Sequence, residues 1–141
     1  MPNTLYFREH PWTQQVDVTV EDPAHPITQG LGTSFTIFDE IYVFRASPRP
    51  NAHVLLTLDA GSVGAGGDFP LAWCATYGAG RVFYNALGHF ESTWDDARFQ
   101  QHLLSALRWA AGRDPAACDP DSPSAPPPSP QGDAGGPLPG A

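Results

Sequence analysis

The side chain best placed for chemistry in this sequence is His89, which follows an apolar run after a single glycine. The run from Arg81 to Leu87 has the composition of a β-strand, and Gly88 and His89 come directly after it. Ligands of open α/β sheets bind beyond the ends of strands, and imidazole exchanges protons near neutral pH. We therefore predict a functional role for His89, and the alternative is a histidine that only caps a loop.

Two adjacent acids, Asp39 and Glu40, raise the question of glycoside chemistry, which uses two carboxylates about 5–10 Å apart. Neighbouring residues on a strand point to opposite faces, so these two cannot form that pair with each other. One of them could instead join Tyr42, Trp73 and His89 around a polar pocket. The alternative is an acid that is simply exposed to solvent.

Among the tryptophans, Trp94 is the best candidate for stacking against a sugar because it lies shortly after His89. The alternative for Trp94, as for Trp73 and Trp109, is packing in the core. We include Asp39, Glu40, Tyr42, Trp73 and Trp94 in a predicted substrate-binding set.

A nucleophile and a metal site are both hard to find. Cys74 lies in a strand-like run, where a small buried side chain is the usual outcome, and Gly61-Ser62-Val63-Gly64 lacks the spacing of a nucleophile elbow. The histidines show no clustered ligand spacing, so we predict no metal and no cofactor. The alternative is that His10, His25 and His89 converge in space.

The elements that would position these residues follow a simple order. Val16 to Val20 alternates like a strand, Phe35 to Phe44 reads as two short strands or one bent strand, and His53 to Leu58 is apolar on both faces. Leu71 to Tyr77 and Arg81 to Leu87 form a β-hairpin around Gly78-Ala79-Gly80.

One amphipathic helix follows, with Thr93 and Asp96 as a predicted capping box and Gly112 at its end. The apolar face of that helix is predicted to contain Phe99, Leu103, Ala106, Leu107 and Ala110. A single helix is too few to cover both faces of the strands, so we expect part of an α/β domain.

Composition excludes several partners. The formal charge is −8, and the chain has seven arginines and no lysine, so it has no basic stripe for nucleic acid or an anionic membrane. No apolar run approaches the roughly 20 residues that span a bilayer. Cys74 and Cys118 do not form a disulfide framework, which favours a reducing compartment, and we predict a cytoplasmic protein.

The domain boundary is predicted after Gly112. Residues 113–141 hold nine of the sixteen prolines and one large aliphatic side chain, Leu138. Such a segment buries too little to offset its ordering entropy, so we predict a body at 1–112 and a disordered Pro/Gly-rich tail at 113–141.

Several phrases of the body, taken in order, resemble the ThuA-like family, which is named for trehalose utilisation and has the class I glutamine amidotransferase-like fold. The resemblance covers roughly His10 to Gly112. It rests on Glu21 to Thr28 with Gly30-Leu31, Phe35 with Asp39 to Tyr42, Val54 to Thr57, Pro70 to Trp73, Tyr77 to Tyr84, Ala86 to His89, Trp94, and Phe99 to Gly112.

The resemblance implies a partial flavodoxin-like, amidotransferase-like α/β sheet with its N-terminal strand–helix units missing. In amidotransferase relatives a late strand delivers a histidine and, two positions on, a glutamate, and His89-Phe90-Glu91 keeps that spacing. The resemblance therefore implies His89 and Glu91 as catalytic residues, with Glu91 orienting His89. The cysteine nucleophile of those relatives belongs to the missing half, so we expect no complete active site in this chain alone.

Two functions follow as hypotheses. The first is a carbohydrate-metabolism domain that binds a sugar or sugar derivative in a pocket at the carboxyl edge of the sheet. The second is a non-catalytic module that self-associates or docks through an exposed sheet edge, or an inactive remnant of a longer domain.

Overall fold

The structure is a computed structural model that describes residues 6–120 of the 141-residue chain. Its centre is one five-stranded sheet in the order β2-β1-β3-β4-β5. The strands are β1 (Phe7–Val20), β2 (Ser34–Phe44), β3 (His53–Leu58), β4 (Pro70–Tyr77) and β5 (Gly80–Asn85), followed by the helices α1 (Glu91–Asp95) and α2 (Ala97–Ala110).

The α/β class is confirmed, and within the described residues every strand pairing is antiparallel. Strand β3 has the predicted bounds because its side chains are apolar on both faces and nearly all of them are buried. The predicted hairpin joins β4 to β5, and Gly78 takes the positive φ of 59° that this tight turn requires. The region from Phe35 to Phe44 lies in one strand, β2, so of the two predicted alternatives the single strand is the one found.

The helical region differs from its prediction at the start. Thr93 lies inside α1 instead of capping a helix, since its hydroxyl group donates to Asp39 at 3.2 Å. The N-cap of α2 is Asp96, whose side chain accepts a hydrogen bond from the backbone N–H of Arg98 at 2.8 Å.

The buried face of α2 is also rotated from the predicted one. Phe99 and Ala106 are buried as expected, but Leu107 is 69% exposed. His102 and Trp109 are buried instead, because Trp109 packs into the main core and His102 hydrogen-bonds to the backbone oxygen of Ile27 at 2.9 Å. The helix therefore covers the sheet with one imidazole and one indole as well as with aliphatic groups.

The segment after α2 continues the packed body. The indole N–H of Trp109 donates to the backbone oxygen of Ala116 at 3.0 Å, and the Arg81 guanidinium donates to the backbone oxygen of Asp114 at 2.9 Å. Cys118 is buried in the main core. Packing thus extends past the predicted boundary at Gly112, and the part of the predicted tail from 121 to 141 lies outside the described residues.

The prediction of two unpaired cysteines is wrong. Cys74 in β4 and Cys118 form a disulfide across 44 positions, with their Cα atoms 5.6 Å apart. This disulfide could not be predicted from local pattern, because Cys118 lies in a proline-rich stretch that local rules assign to a disordered tail. The argument for a reducing compartment rested on free thiols and loses its basis, so the cytoplasmic location stays a prediction. No helix in the described part of the chain is long and apolar enough to cross a membrane.

Candidate functional site

Two histidines from distant parts of the chain meet at one carboxylate on β2. The His10 Nδ1 atom lies 3.4 Å from Glu40 Oε1, and the His89 Nε2 atom lies 3.5 Å from Glu40 Oε2. The side chains of His10 and His89 are 55% and 42% exposed, whereas that of Glu40 is 15% exposed. We call His10, Glu40 and His89 the open histidine cluster.

His10 reaches this position because strand β1 is irregular around it. The pairing of β1 with β2 shifts register between Phe7 and Glu9 and again between Glu9 and Trp12. Pro11 lies at the second irregularity, where a residue without a backbone N–H donor is tolerated. Such bulges re-aim side chains, and here the His10 ring lies against Tyr42 with ring centres 6.4 Å apart.

His89 is positioned by the turn that follows β5. The Asn85 side-chain oxygen accepts a hydrogen bond from the Leu87 N–H at 2.9 Å, and the Trp94 indole donates to the Gly88 oxygen at 2.8 Å. Gly88 has a φ of 114°, and a Cβ there would lie 3.2 Å from the Phe99 ring. Glycine is therefore required directly before His89.

The carboxylate of Asp39 fixes this turn from its buried side. Asp39 is fully buried, and its oxygens accept hydrogen bonds from the backbone N–H groups of Gly88 at 2.7 Å and His89 at 3.0 Å. The same carboxylate accepts from the Thr93 hydroxyl at 3.2 Å and from the Glu40 N–H at 2.9 Å. Asp39 thus holds β2, the His89 turn and α1 in one arrangement.

Aromatic rings surround the open histidine cluster. The Phe7 and Tyr42 rings meet edge to face at 5.1 Å, and Phe90 contacts His89 at 4.7 Å and Phe38 at 5.4 Å between ring centres. The site therefore combines apolar ring surfaces with two imidazoles and one carboxylate. Such a surface suits a ligand that offers both hydroxyl groups and C–H faces.

The structure brings together only part of the predicted site. Glu40, Tyr42 and His89 lie together, and Asp39 supports them from the core. Trp73 lies elsewhere, stacked on Tyr84 at 4.5 Å in the β4–β5 part of the sheet.

The two other predicted residues flank the site. Trp94 supports the His89 turn and is 53% exposed. Glu91 is exposed at the first residue of α1, and the carboxylate that contacts the His89 ring is that of Glu40. The orienting role of Glu91 stays a prediction.

Among the histidines, His10 was considered only as a metal ligand, and its place beside Glu40 was missed. The signal that could have found it is Pro11 within a strand-like segment, since a proline inside a strand marks an edge or a bulge. His25, which the alternative of a metal site groups with His10 and His89, lies at the opposite end of β1.

A second group of histidines lies at that opposite end, and we call Asp22, His25, His53 and Cys118 the closed histidine cluster. The His53 Nε2 atom lies 2.9 Å from the Asp22 carboxylate, and the rings of His25 and His53 have centres 5.9 Å apart. Both His25 and Cys118 are buried. We call it closed because the disulfide holds Cys118 against His25, with the Cys118 sulfur 3.5 Å from His25 Nε2, while His53 and Asp22 stay partly exposed.

The titration of this cluster follows from its surroundings. Burial alone would raise the pKa of Asp22, but the hydrogen bond and charge of His53 outweigh it and hold that pKa below its usual range. Burial lowers the pKa of His25, against the opposing attraction of Asp22. The Ile27 N–H donates to His25 Nδ1 at 3.2 Å, so the neutral ring carries its proton on Nε2, 3.5 Å from Cys118 Sγ.

Neither cluster offers a set of ligand atoms that suits a metal ion. In the part of the chain that the structure describes, the compact ligand group is His25, Cys74 and Cys118, with ligand atoms within 4.8 Å of one another. Metals bind thiolates, and these two sulfurs are joined in a disulfide. His10, Glu40 and His89 are spread more widely, so no metal is assigned to them.

Fold and site together define an α/β domain with a histidine–carboxylate site at one end of its sheet. The comparisons with known proteins give the family. Residues 4–110 match the ThuA family, which is described as trehalose utilisation. The chain belongs to this family.

Two solved structures are similar to the chain. A putative ThuA-like protein from Bacteroides uniformis ATCC 8492 has 29% sequence identity and a TM-score of 0.66, with 78% of this chain and 49% of that chain covered. A putative ThuA-like protein from Parabacteroides merdae ATCC 43184 has 26% identity and a TM-score of 0.56, with 76% and 46% covered. This chain therefore spans about half the length of these relatives. No curated protein matches it.

Proposed function

We propose that this ThuA-family protein takes part in carbohydrate metabolism by binding a sugar or sugar derivative at the open histidine cluster. The observation that supports the proposal most directly is the meeting of His10 and His89 at Glu40. Trehalose is the first candidate because the family is described as trehalose utilisation.

The chemistry of the cluster suits a sugar. Each imidazole can donate or accept a proton, and the Glu40 carboxylate can accept hydrogen bonds from hydroxyl groups. The neighbouring rings of Tyr42 and Phe90 offer apolar surface to the C–H face of a pyranose ring. In this proposal His89 is the acid–base or hydrogen-bonding group, and Glu40 orients it.

Turnover requires more than this cluster. The disulfide occupies both cysteines, so the described residues offer no thiol nucleophile. Because the chain spans about half of its solved relatives, a reaction would use groups supplied by further protein. Ligand binding is therefore the property to measure on this chain.

Isothermal titration of the full chain with trehalose, maltose, glucose and the corresponding sugar acids tests the proposal. We expect binding of at least one of them, and we expect His89→Ala and Glu40→Gln each to weaken it about tenfold, since each removes one hydrogen-bonding partner worth about 1.4 kcal/mol. Glu91→Gln tests the predicted orienting role of Glu91, and Asp95→Asn is the matched control because it neutralises a nearby exposed carboxylate.

Three results would contradict parts of this proposal. Absence of binding across the whole panel would reject the carbohydrate assignment. Equal affinity of the native chain and the His89→Ala variant would place the sugar elsewhere, and selective loss with Glu91→Gln would return the orienting role to Glu91.

A further inference from the structure

A second surface with the character of a binding site lies on strands β4 and β5, on the face of the sheet away from the main core. It is a groove with a volume of about 470 Å³. We call it the aromatic groove, and its main lining residues are Phe44, Pro48, Trp73, Tyr77, Val82 and Tyr84.

The floor of the aromatic groove is built from three packed rings. Trp73 and Tyr84 stack at 4.5 Å with an angle of 20° between their planes. Phe44 meets Trp73 at 5.4 Å and Tyr84 at 5.8 Å, edge to face in both cases. Rings that fix one another in this way present a rigid surface, so an occupant would not have to order them first.

The walls of the groove remain exposed. Tyr77 is 63% exposed, Val82 48% and Tyr84 38%, although all three are large and partly apolar. Asn51 and Thr76 add polar groups at the rim. Rigid aromatic grooves with a few hydrogen-bonding groups at the rim are the surfaces that recognise proline-rich segments, whose backbone oxygens are left without internal hydrogen bonds.

The chain itself carries a segment of that chemistry. Residues 121–141 contain seven prolines, and Pro126-Pro127-Pro128-Ser129-Pro130 is the densest stretch. The segment contains no lysine, arginine or glutamate and only two aspartates. It is therefore nearly free of charges that would have to be buried in an apolar groove.

The starting point of the segment lies close to the groove. The disulfide anchors Cys118 to Cys74, and Cys74 is the neighbour in β4 of Trp73, which points to the opposite face. The path around the end of the sheet at Tyr77 is about 20 Å, from three strand residues and one sheet thickness. Eight residues of proline-rich chain span about 25 Å, so residues from 126 onward can reach the groove.

We propose that the aromatic groove binds the chain's own proline-rich segment, residues 126–130. The disulfide sets the distance from which the segment starts, and the exposed Tyr77 and Tyr84 rings receive the proline rings, with the buried Trp73 ring stacked against Tyr84. The occupant is intramolecular, so its local concentration is high and weak contacts suffice to fill the groove.

Fluorine NMR of the full chain labelled with 5-fluorotryptophan tests the proposal. The chain has four tryptophans, of which Trp73 lies in the groove, and Trp73→Phe assigns its signal. We expect the combined substitutions Pro126→Ala, Pro127→Ala and Pro128→Ala to shift the Trp73 signal and leave those of Trp12, Trp94 and Trp109 in place. Pro137→Ala with Pro139→Ala is the matched control and should shift none.

A synthetic peptide of residues 121–132, added to the alanine-substituted chain, should return the Trp73 signal toward its native position. A Trp73 signal that is identical in the native and substituted chains would overturn the proposal. So would a signal that depends on protein concentration in the substituted chain, because the body of a second copy would then occupy the groove. Concentration dependence in the native chain would also overturn the intramolecular contact, because the segment in the groove would then come from a second copy.

Discussion

The two histidine clusters contain similar side chains and have opposite surroundings. In the open histidine cluster, His10 and His89 are about half exposed and share the Glu40 carboxylate. In the closed histidine cluster, His25 is buried against a disulfide and His53 is paired with Asp22. The difference lies in one histidine of each pair: His25 is covered by Cys118, whereas both imidazoles of the open cluster can be reached from solvent.

The largest expected effect is a loss of stability when the disulfide beside the closed histidine cluster is reduced. Reduction of the Cys74–Cys118 disulfide should lower the free energy of unfolding by about 4 kcal/mol, since it frees a closed loop of some 44 residues in the unfolded chain. Urea unfolding with and without a thiol reductant measures this change. The Cys118→Ser variant should match the reduced chain, and a reductant effect that persists in that variant would show that the loss comes from another source.

The next effect concerns the support of the open cluster. Asp39→Asn should cost about 1–3 kcal/mol, because an amide NH₂ would face N–H donors that the carboxylate now accepts from. The same variant should weaken sugar binding, since the His89 turn loses its anchor. Thermal unfolding and calorimetric titration measure the two effects, with Asp17→Asn, at an exposed position of β1, as the control. Full stability and full binding in Asp39→Asn would contradict the anchoring role.

The smallest effect is a pH dependence of stability that arises from buried imidazole. Burial lowers the pKa of His102 below the 6.5 of an unburied histidine, so the folded chain holds this ring neutral. As the pH falls below about 6.5 the unfolded chain binds a proton that the folded chain refuses, and stability is lost. The loss approaches about 1.4 kcal/mol per pH unit for each such histidine.

Urea unfolding at pH 7.5 and at pH 5.5 measures this dependence. His102→Gln should lose less stability between the two values than the native chain, and His25 should maintain a residual slope because burial lowers its pKa too. An unchanged slope in His102→Gln would mean that other groups carry the pH dependence.

The sequence pattern predicted those elements that depend only on residues close together in the chain. Strand β3 is apolar on both faces and was found at its predicted bounds, and the glycines at 78 and 80 identified the hairpin. The place of His89 after a strand could also be predicted, because it depends only on the end of the apolar run and on Gly88.

The contacts that were missed depend on residues far apart in the chain. His10 reaches Glu40 through a register shift that exists only when β1 pairs with β2, and Cys118 meets Cys74 across 44 positions. Thr93 has the residue type of a helix cap, yet its hydroxyl donates a hydrogen bond to Asp39, more than fifty positions earlier. Spacing rules describe neighbours along the chain, so these long-range contacts lie beyond them.

The most direct test of the open cluster as the ligand site is a titration followed in the imidazole ¹H–¹⁵N spectrum of the full chain. All five histidines can be observed at once. On addition of the tightest-binding sugar of the panel, we predict shifts of the His10 and His89 signals, while those of His25, His53 and His102 stay in place. Shifts confined to His25 and His53, or no shift in any histidine, would contradict the assignment.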